Sequence, residues 1–121
     1  MYKSKRAKAT AISPKVKKAV WERDGEHCIY CGSPYANPEA HVISRQKGGL
    51  GVEKNIVTLC RSCHRRFDSG TNHERIMMKK FIESYLRKKY GYIKKEDVTY
   101  SSEWKRWLNA RKNDWSQTAH R

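Results

Sequence analysis

Four cysteines stand in two Cys-x-x-Cys pairs, Cys28 with Cys31 and Cys60 with Cys63. Thiolates at that spacing chelate one soft or borderline ion, and a tetrahedral set of four sulfurs closes the coordination sphere of a structural Zn²⁺. The gap between the pairs, residues 32–59, is long enough for a hairpin with one pair anchoring each end. A redox dithiol or an iron–sulfur cluster is the competing use, and no thioredoxin-like context accompanies these pairs. An ion closed by four thiolates has no open position for hydrolysis, so reactive chemistry needs other residues. The same segment holds His41, Asn55 and His64, with Asp68 one turn after His64. Residues four apart share a helix face, so His64 and Asp68 can chelate a second ion. Each also has an ordinary structural reading: a histidine beside a strand, an asparagine that opens one, a histidine backing a cysteine ligand. His27, His73 and His120 have no comparable setting and read as surface or tail residues.

Residues 28–68 resemble the HNH endonucleases. The resemblance rests on the two cysteine pairs, on Ala40-His41-Val42-Ile43-Ser44-Arg45, on Gly48-Gly49-Leu50-Gly51 and on Asn55-Ile56-Val57-Thr58-Leu59-Cys60, which look like small phage-associated members. Trp21-Glu22-Arg23-Asp24-Gly25 is similar to the family's lead-in to its first cysteine pair. The resemblance implies an α+β fold: a small ββα-metal core with a structural zinc on four cysteines, flanked by an N-terminal helix and C-terminal helices. It implies a metal-dependent endonuclease that hydrolyses DNA phosphodiester bonds by nicking or double-strand cleavage. His41 would be the general base, suited by an ordinary pKa near 6.5 to accept a proton at neutral pH. Asn55 would hold the histidine or its loop, and His64 would bind a catalytic Mg²⁺, Mn²⁺, Ni²⁺ or Zn²⁺. Arg45 would add a positive contact to the phosphate. Many members have aspartate or histidine immediately before the base, where this chain has Ala40. Alanine cannot ligate, so His64 would rely on Asp68 or on Glu39.

These side chains meet only if regular elements place them. Ser13 can cap a helix over 14–23 with Pro14 at its first position and Val16, Val20 and Trp21 on one face, ended by Asp24-Gly25. Ile29-Tyr30 and Gly32 suit a tight turn at the first cysteine pair, and Pro34 and Pro38 read as loop. Strands are expected over 40–44 and 55–59, with Gly48, Gly49 and Gly51 in an irregular connection. A short helix follows over 60–68. Asn72 can cap a helix over 73–90 carrying Ile76, Met77, Phe81, Tyr85 and Leu86. A last helix over 103–112 would align Trp104, Trp107, Leu108 and Arg111. This gives a disordered basic arm over 1–12, one nuclease domain with a helical extension over 13–115, and a tail over 116–121.

The 121 residues carry 27 Lys and Arg against 12 Asp and Glu, a formal charge of +15, which favours polyanionic partners. DNA is the expected partner, with Lys15, Lys17, Lys18, Arg65 and Arg66 on phosphates and the basic stretch 79–95 in support. No stretch approaches the roughly 18 apolar residues of a membrane span, and no apolar segment follows the N-terminal charges as in a signal peptide. A reducing cytoplasm is therefore expected, in a bacterial host cell if the chain is of phage origin, where paired cysteines favour metal over disulfides. At 37% hydrophobic and 32% charged residues the core is small, and a structural ion would carry much of the stability, roughly 10–16 kcal/mol in small fingers. A homodimer, or phage packaging or recombination proteins, are further candidate partners. Two other functions fit part of the pattern: a non-catalytic zinc-knuckle nucleic-acid-binding protein, and an adaptor docking through Trp104, Trp107 and Trp115.

Overall fold

The computed structural model describes residues 4–100; the helix expected over 103–112, its tryptophans and the tail lie outside the described residues. Helix α2 (Pro14–Arg23) starts where the Ser13 side chain accepts from the Val16 N–H and Pro14 supplies the first turn. Helix α1 (Lys5–Thr10) precedes it, capped by Ser4 in the same way. This segment is expected to be a disordered arm; instead its carbonyls and side chains bond to the loop 41–51, contacts too distant in sequence to read from composition.

The sheet has two antiparallel strands, β1 (Ala36–His41) and β2 (Ile56–Cys60), paired from Ala36 opposite Cys60 to His41 opposite Ile56. The first strand begins four residues earlier than its apolar content indicates and ends at His41 rather than Ser44. Pro38 and Glu39 together face Thr58, a bulge that accommodates a residue without an N–H and resets the alternation so that Ala40 is buried. Asn55 sits in a 3₁₀ turn before β2 rather than opening it. All five residues of β2 are buried.

Helix α3 (Arg61–Ser69) follows with Cys60 as its N-cap, and Thr71, not Asn72, caps helix α4 (Asn72–Tyr90). The Thr71 hydroxyl accepts from the Glu74 N–H, half of the Thr-x-x-Glu capping pattern that this stretch spells. The apolar face of α4 also differs from expectation: Met78, Ile82 and Leu86, spaced by four, are buried, while Ile76, Met77 and Phe81 stay substantially exposed. With Ala40, Val57, Leu59, Phe67 and the cysteines Cys28, Cys60 and Cys63 they form the core. The architecture is the expected small α+β one, with α3 packed against both strands and against α4, and α2 packed against both strands.

Asp24, only 3% exposed, joins these layers. Its carboxylate accepts from the Thr58 N–H at 2.8 Å, the Tyr85 hydroxyl at 2.7 Å and the Arg23 guanidinium at 2.7 and 3.1 Å. Arg23 reaches on to the Glu53 and Ile56 carbonyls, both at 2.7 Å. Burial works against the Arg23 charge, but bonds to Asp24 and Tyr90 outweigh it and hold the pKa above its ordinary value. Burial and the Asp24 carboxylate together push Tyr85 up to about 12. A residue that reads as a helix terminator is thus the polar hub of the fold.

Candidate active site and metal centre

The turn after α2 presents Cys28 and Cys31, and the junction of β2 and α3 presents Cys60 and Cys63. One donor atom from each lies within 4.8 Å of all the others, and Cys31 Sγ is 3.6 Å from Cys60 Sγ. Tetrahedral Zn–S bonds of about 2.3 Å require sulfurs about 3.8 Å apart, so the donor set fits one such ion. Backbone N–H groups of Cys31 and Cys63 point at Cys28 Sγ and Cys60 Sγ, at 3.5 and 3.4 Å. For Cys28 burial disfavours the thiolate, yet backbone N–H groups of Cys31, Cys60 and Tyr30 bring its pKa down to about 7. Burial first, then the adjoining sulfurs, push the Cys63 thiol well up. Four thiolates packed this closely need a cation among them. Among the described residues this is the only cluster of three or more metal-ligating side chains.

A groove of about 1030 Å³ opens beside the other face of α3 and is lined by His41, Arg45, Asn55, His64 and Asp68 among others. His41 ends β1 and is half-buried; its Nε2 lies 2.8 Å from the Thr10 carbonyl of α1. A carbonyl only accepts, so Nε2 carries the proton and Nδ1 is the basic nitrogen. Burial chiefly, then the charges of Arg45 and His64, hold the His41 pKa below its ordinary value; the Thr10 carbonyl and Asp68 pull the other way. His41 is therefore neutral at pH 7.

Asn55 is 1% exposed, and its side-chain hydrogen bonds go to Ile43 and Leu50. Its Oδ1 accepts from the Ile43 N–H at 2.9 Å, while Nδ2 donates to the Ile43 and Leu50 carbonyls at 3.1 and 2.9 Å. It clamps both ends of the connection between the strands. Gly49 is required there, since a Cβ at that position would overlap the Ile43 carbonyl and crowd the Asn55 amide. His64 and Asp68 meet one turn apart, Nε2 to Oδ2 at 3.2 Å, with side chains 36% and 60% exposed. Adjacent ligands of an octahedral ion at about 2.1 Å stand about 3.0 Å apart, so the pair fits two positions of a partly hydrated divalent ion. Ala40 lies in the core and offers no donor, and the carboxylate of Glu39 is 3.1 Å from Lys17.

Arg45 also lines the groove, but its guanidinium bonds to α1, Nε to Thr10 Oγ1 and Nη2 to the Ala7 carbonyl, both at 3.4 Å. Lys15, Lys18 and Arg65 are exposed, Lys17 pairs with Glu39, and Arg66 pairs with Glu74 at 3.4 Å. The groove itself is lined by Lys79, Arg87 and Lys95 of the basic stretch 79–95 and by three cations that residue-by-residue reading passes over, Lys47, Lys54 and Arg75. The four-residue spacing of Arg75, Lys79 and, two turns on, Arg87 is the available signal, one face of a helix. Nothing local in the sequence reveals the Thr10 carbonyl as a partner of His41.

Residues 28–69 match the family described as HNH endonuclease. A solved structure of the Type IV phosphorothioation-dependent restriction endonuclease ScoMcrA is similar over 73% of this chain, with a TM-score of 0.56 and 24% sequence identity. The chain corresponds to 21% of that protein's length, and at this identity the likeness concerns the fold. No curated protein matches the chain. The segment that matches the HNH endonuclease family, residues 28–69, coincides with the two-cysteine-pair hairpin and helix just described.

Proposed function

We propose that the chain is a metal-dependent endonuclease that hydrolyses DNA phosphodiester bonds, with His41 as general base. The observation that carries the reading is a neutral His41 with a free basic nitrogen in the same cation-lined groove as the His64–Asp68 pair. His41 Nδ1 takes a proton from water as that water attacks phosphorus and the P–O bond to the leaving sugar oxygen breaks, that oxygen being protonated from solvent; base catalysis of this kind contributes roughly 10²–10⁴ in rate. His64 and Asp68 would hold a divalent ion, which when bound would supply Lewis-acid charge to offset the negative charge developing on phosphate oxygens. Asn55 fixes the loop between the strands, and the groove cations neutralise flanking phosphates. Zn²⁺ at the four cysteines is structural in this reading, and Mg²⁺, Mn²⁺, Ni²⁺ or Zn²⁺ serves at His64.

The test is a supercoiled-plasmid assay with Mg²⁺, Mn²⁺ or Ni²⁺, with chelator controls that leave the cysteine site loaded. Metal-dependent nicking by wild type, abolished in His41→Ala, is the expected result. A second reading, a non-catalytic nucleic-acid-binding module, draws on the buried Ala40 and the absence of a third ligand beside His64 and Asp68 among the described residues. Salt-sensitive DNA binding with no cleavage under any ion would select it.

A further inference from the structure

The N-terminal helix lies outside the segment matched to the family, yet it supplies a hydrogen-bond partner of the His41 imidazole. Its last residue, Thr10, is buried and presents its carbonyl to His41 Nε2 at 2.8 Å. Three further sets of contacts hold that carbonyl in place. Arg6 Nη2 donates to the Gln46 carbonyl at 2.6 Å and to the Arg45 carbonyl at 3.3 Å. The Arg45 guanidinium returns to Thr10 Oγ1 and the Ala7 carbonyl, so the two arginines interlock helix and loop in both directions. The Gly51 N–H donates to the Ala9 carbonyl at 3.0 Å, and the chain passes so near Gly51 that a Cβ there would overlap the Ala11 carbonyl.

The geometry points to α1 as a positioning element of the active site: through the Thr10 carbonyl it fixes the ring of His41 in the Nε2–H tautomer, leaving Nδ1 as the base. This rests on the nuclease reading of His41. A neutral imidazole divides between two tautomers, and only one leaves Nδ1 free to accept a proton; an acceptor fixed on Nε2 selects it and orients the ring. Arg6 of α1 is then part of a latch on the reaction centre rather than of a phosphate-binding arm.

The test uses the full, zinc-loaded chain. Gly51→Val inserts a side chain where Ala11 lies and displaces the strand of contacts after α1; Arg6→Ala removes the bonds to the loop carbonyls and keeps the question answerable if Gly51→Val does not fold. The readouts are kcat and KM for plasmid nicking, and the His41 tautomer from ¹⁵N nuclear magnetic resonance without DNA. The expected result is Nε2–H in wild type, a tautomer mixture in the variants, and kcat lower by about 10- to 100-fold in Gly51→Val with KM unchanged. A purely structural role for α1 would lower thermal stability and leave the tautomer in place. An unchanged tautomer in both folded variants, or Nδ1–H in wild type, overturns the inference. If wild type itself fails to nick, the nuclease reading fails, while the tautomer change still reports the hold of α1 on the ring.

Discussion

Replacing Asn55 with aspartate keeps the shape of the side chain and changes only its proton inventory, at a site where the partners are fully specified. Oδ1 would still accept from the Ile43 N–H, but the second oxygen would face the Ile43 and Leu50 carbonyls, at 3.1 and 2.9 Å in the native chain. An ionised carboxylate there is buried at 1% exposure against two carbonyl dipoles, so the variant folds only by taking up a proton. Protonating an aspartic acid of ordinary pKa about 3.9 at pH 7 costs about 4 kcal/mol, at 1.36 kcal/mol per unit. The neutral acid donates to one carbonyl and leaves the other unpaired, a further cost of about 1–3 kcal/mol. The sign follows from linkage: the folded pKa lies above the unfolded one, so the deficit against wild type grows by about 1.4 kcal/mol per pH unit above 4 and shrinks in acid. For a domain of this size 4 kcal/mol lowers the melting temperature by about 16–32 °C. Thermal unfolding of both proteins at pH 5.5 and 7.5 is the assay, and the paired comparison cancels any effect of pH on the cysteine site. A variant melting within 5 °C of wild type at pH 7.5, or a deficit that does not change with pH, refutes the clamp.

Removal of metal by a strong zinc chelator is expected to abolish the cooperative melting transition, because the core outside the cysteines is small; an unchanged melting curve in metal-free protein would disprove the structural role of the four thiolates. Asp24→Ala strands the Arg23 cation, the Tyr85 hydroxyl and the Thr58 N–H, and is expected to cost about 3–5 kcal/mol by denaturant titration. Thr58→Val, by contrast, removes a buried hydroxyl without a hydrogen-bond partner and is expected to be neutral or stabilising by the same titration. His41 is held below its ordinary pKa by burial, Arg45 and His64, against the opposing Thr10 carbonyl and Asp68, so nicking should stay level from pH 8 to 6.5 and fall only in more acidic buffer. The stability carried by the neutral ring is likewise complete above pH 6.5 and lost as pH falls through the lowered value. A rate already halved at pH 7 would contradict that assignment.

Much of the site is legible in the sequence because its constraints are local. Two Cys-x-x-Cys pairs and a His64–Asp68 spacing of four residues act within a single turn, and α2 announces itself through Ser13-Pro14. The strand order and the junction of β2 with α3 follow from the same local patterns. What escapes is long-range or depends on shape. The bulge at Pro38 and Glu39 decides where β1 starts, and alternation of residue type gives no sign of it. Ile76, Met77 and Phe81 are as apolar as Met78 and Ile82, so composition alone could not tell which stripe of α4 turns inward. Asp24 reads as a helix stop because its partners Thr58 and Tyr85 are 34 and 61 residues away. The arm reads as solvated because its lysines dominate, although the group that matters is the Thr10 backbone carbonyl, which every residue possesses.

Cys60 closes β2, caps α3 through its sulfur and contributes to the four-thiol cluster, three duties in one residue. An ion bound there draws the first turn of α3 into register with the sheet; His64 directly follows Cys63 in that turn, and Asp68 stands one turn further along the same helix. Loading of an ion at the four cysteines and placement of the His64–Asp68 pair therefore belong to one folding event. On the proposed nuclease reading, a newly made chain would acquire the means to break a phosphodiester bond only after securing its metal, so scarcity of that ion would work as a safety catch on the blade.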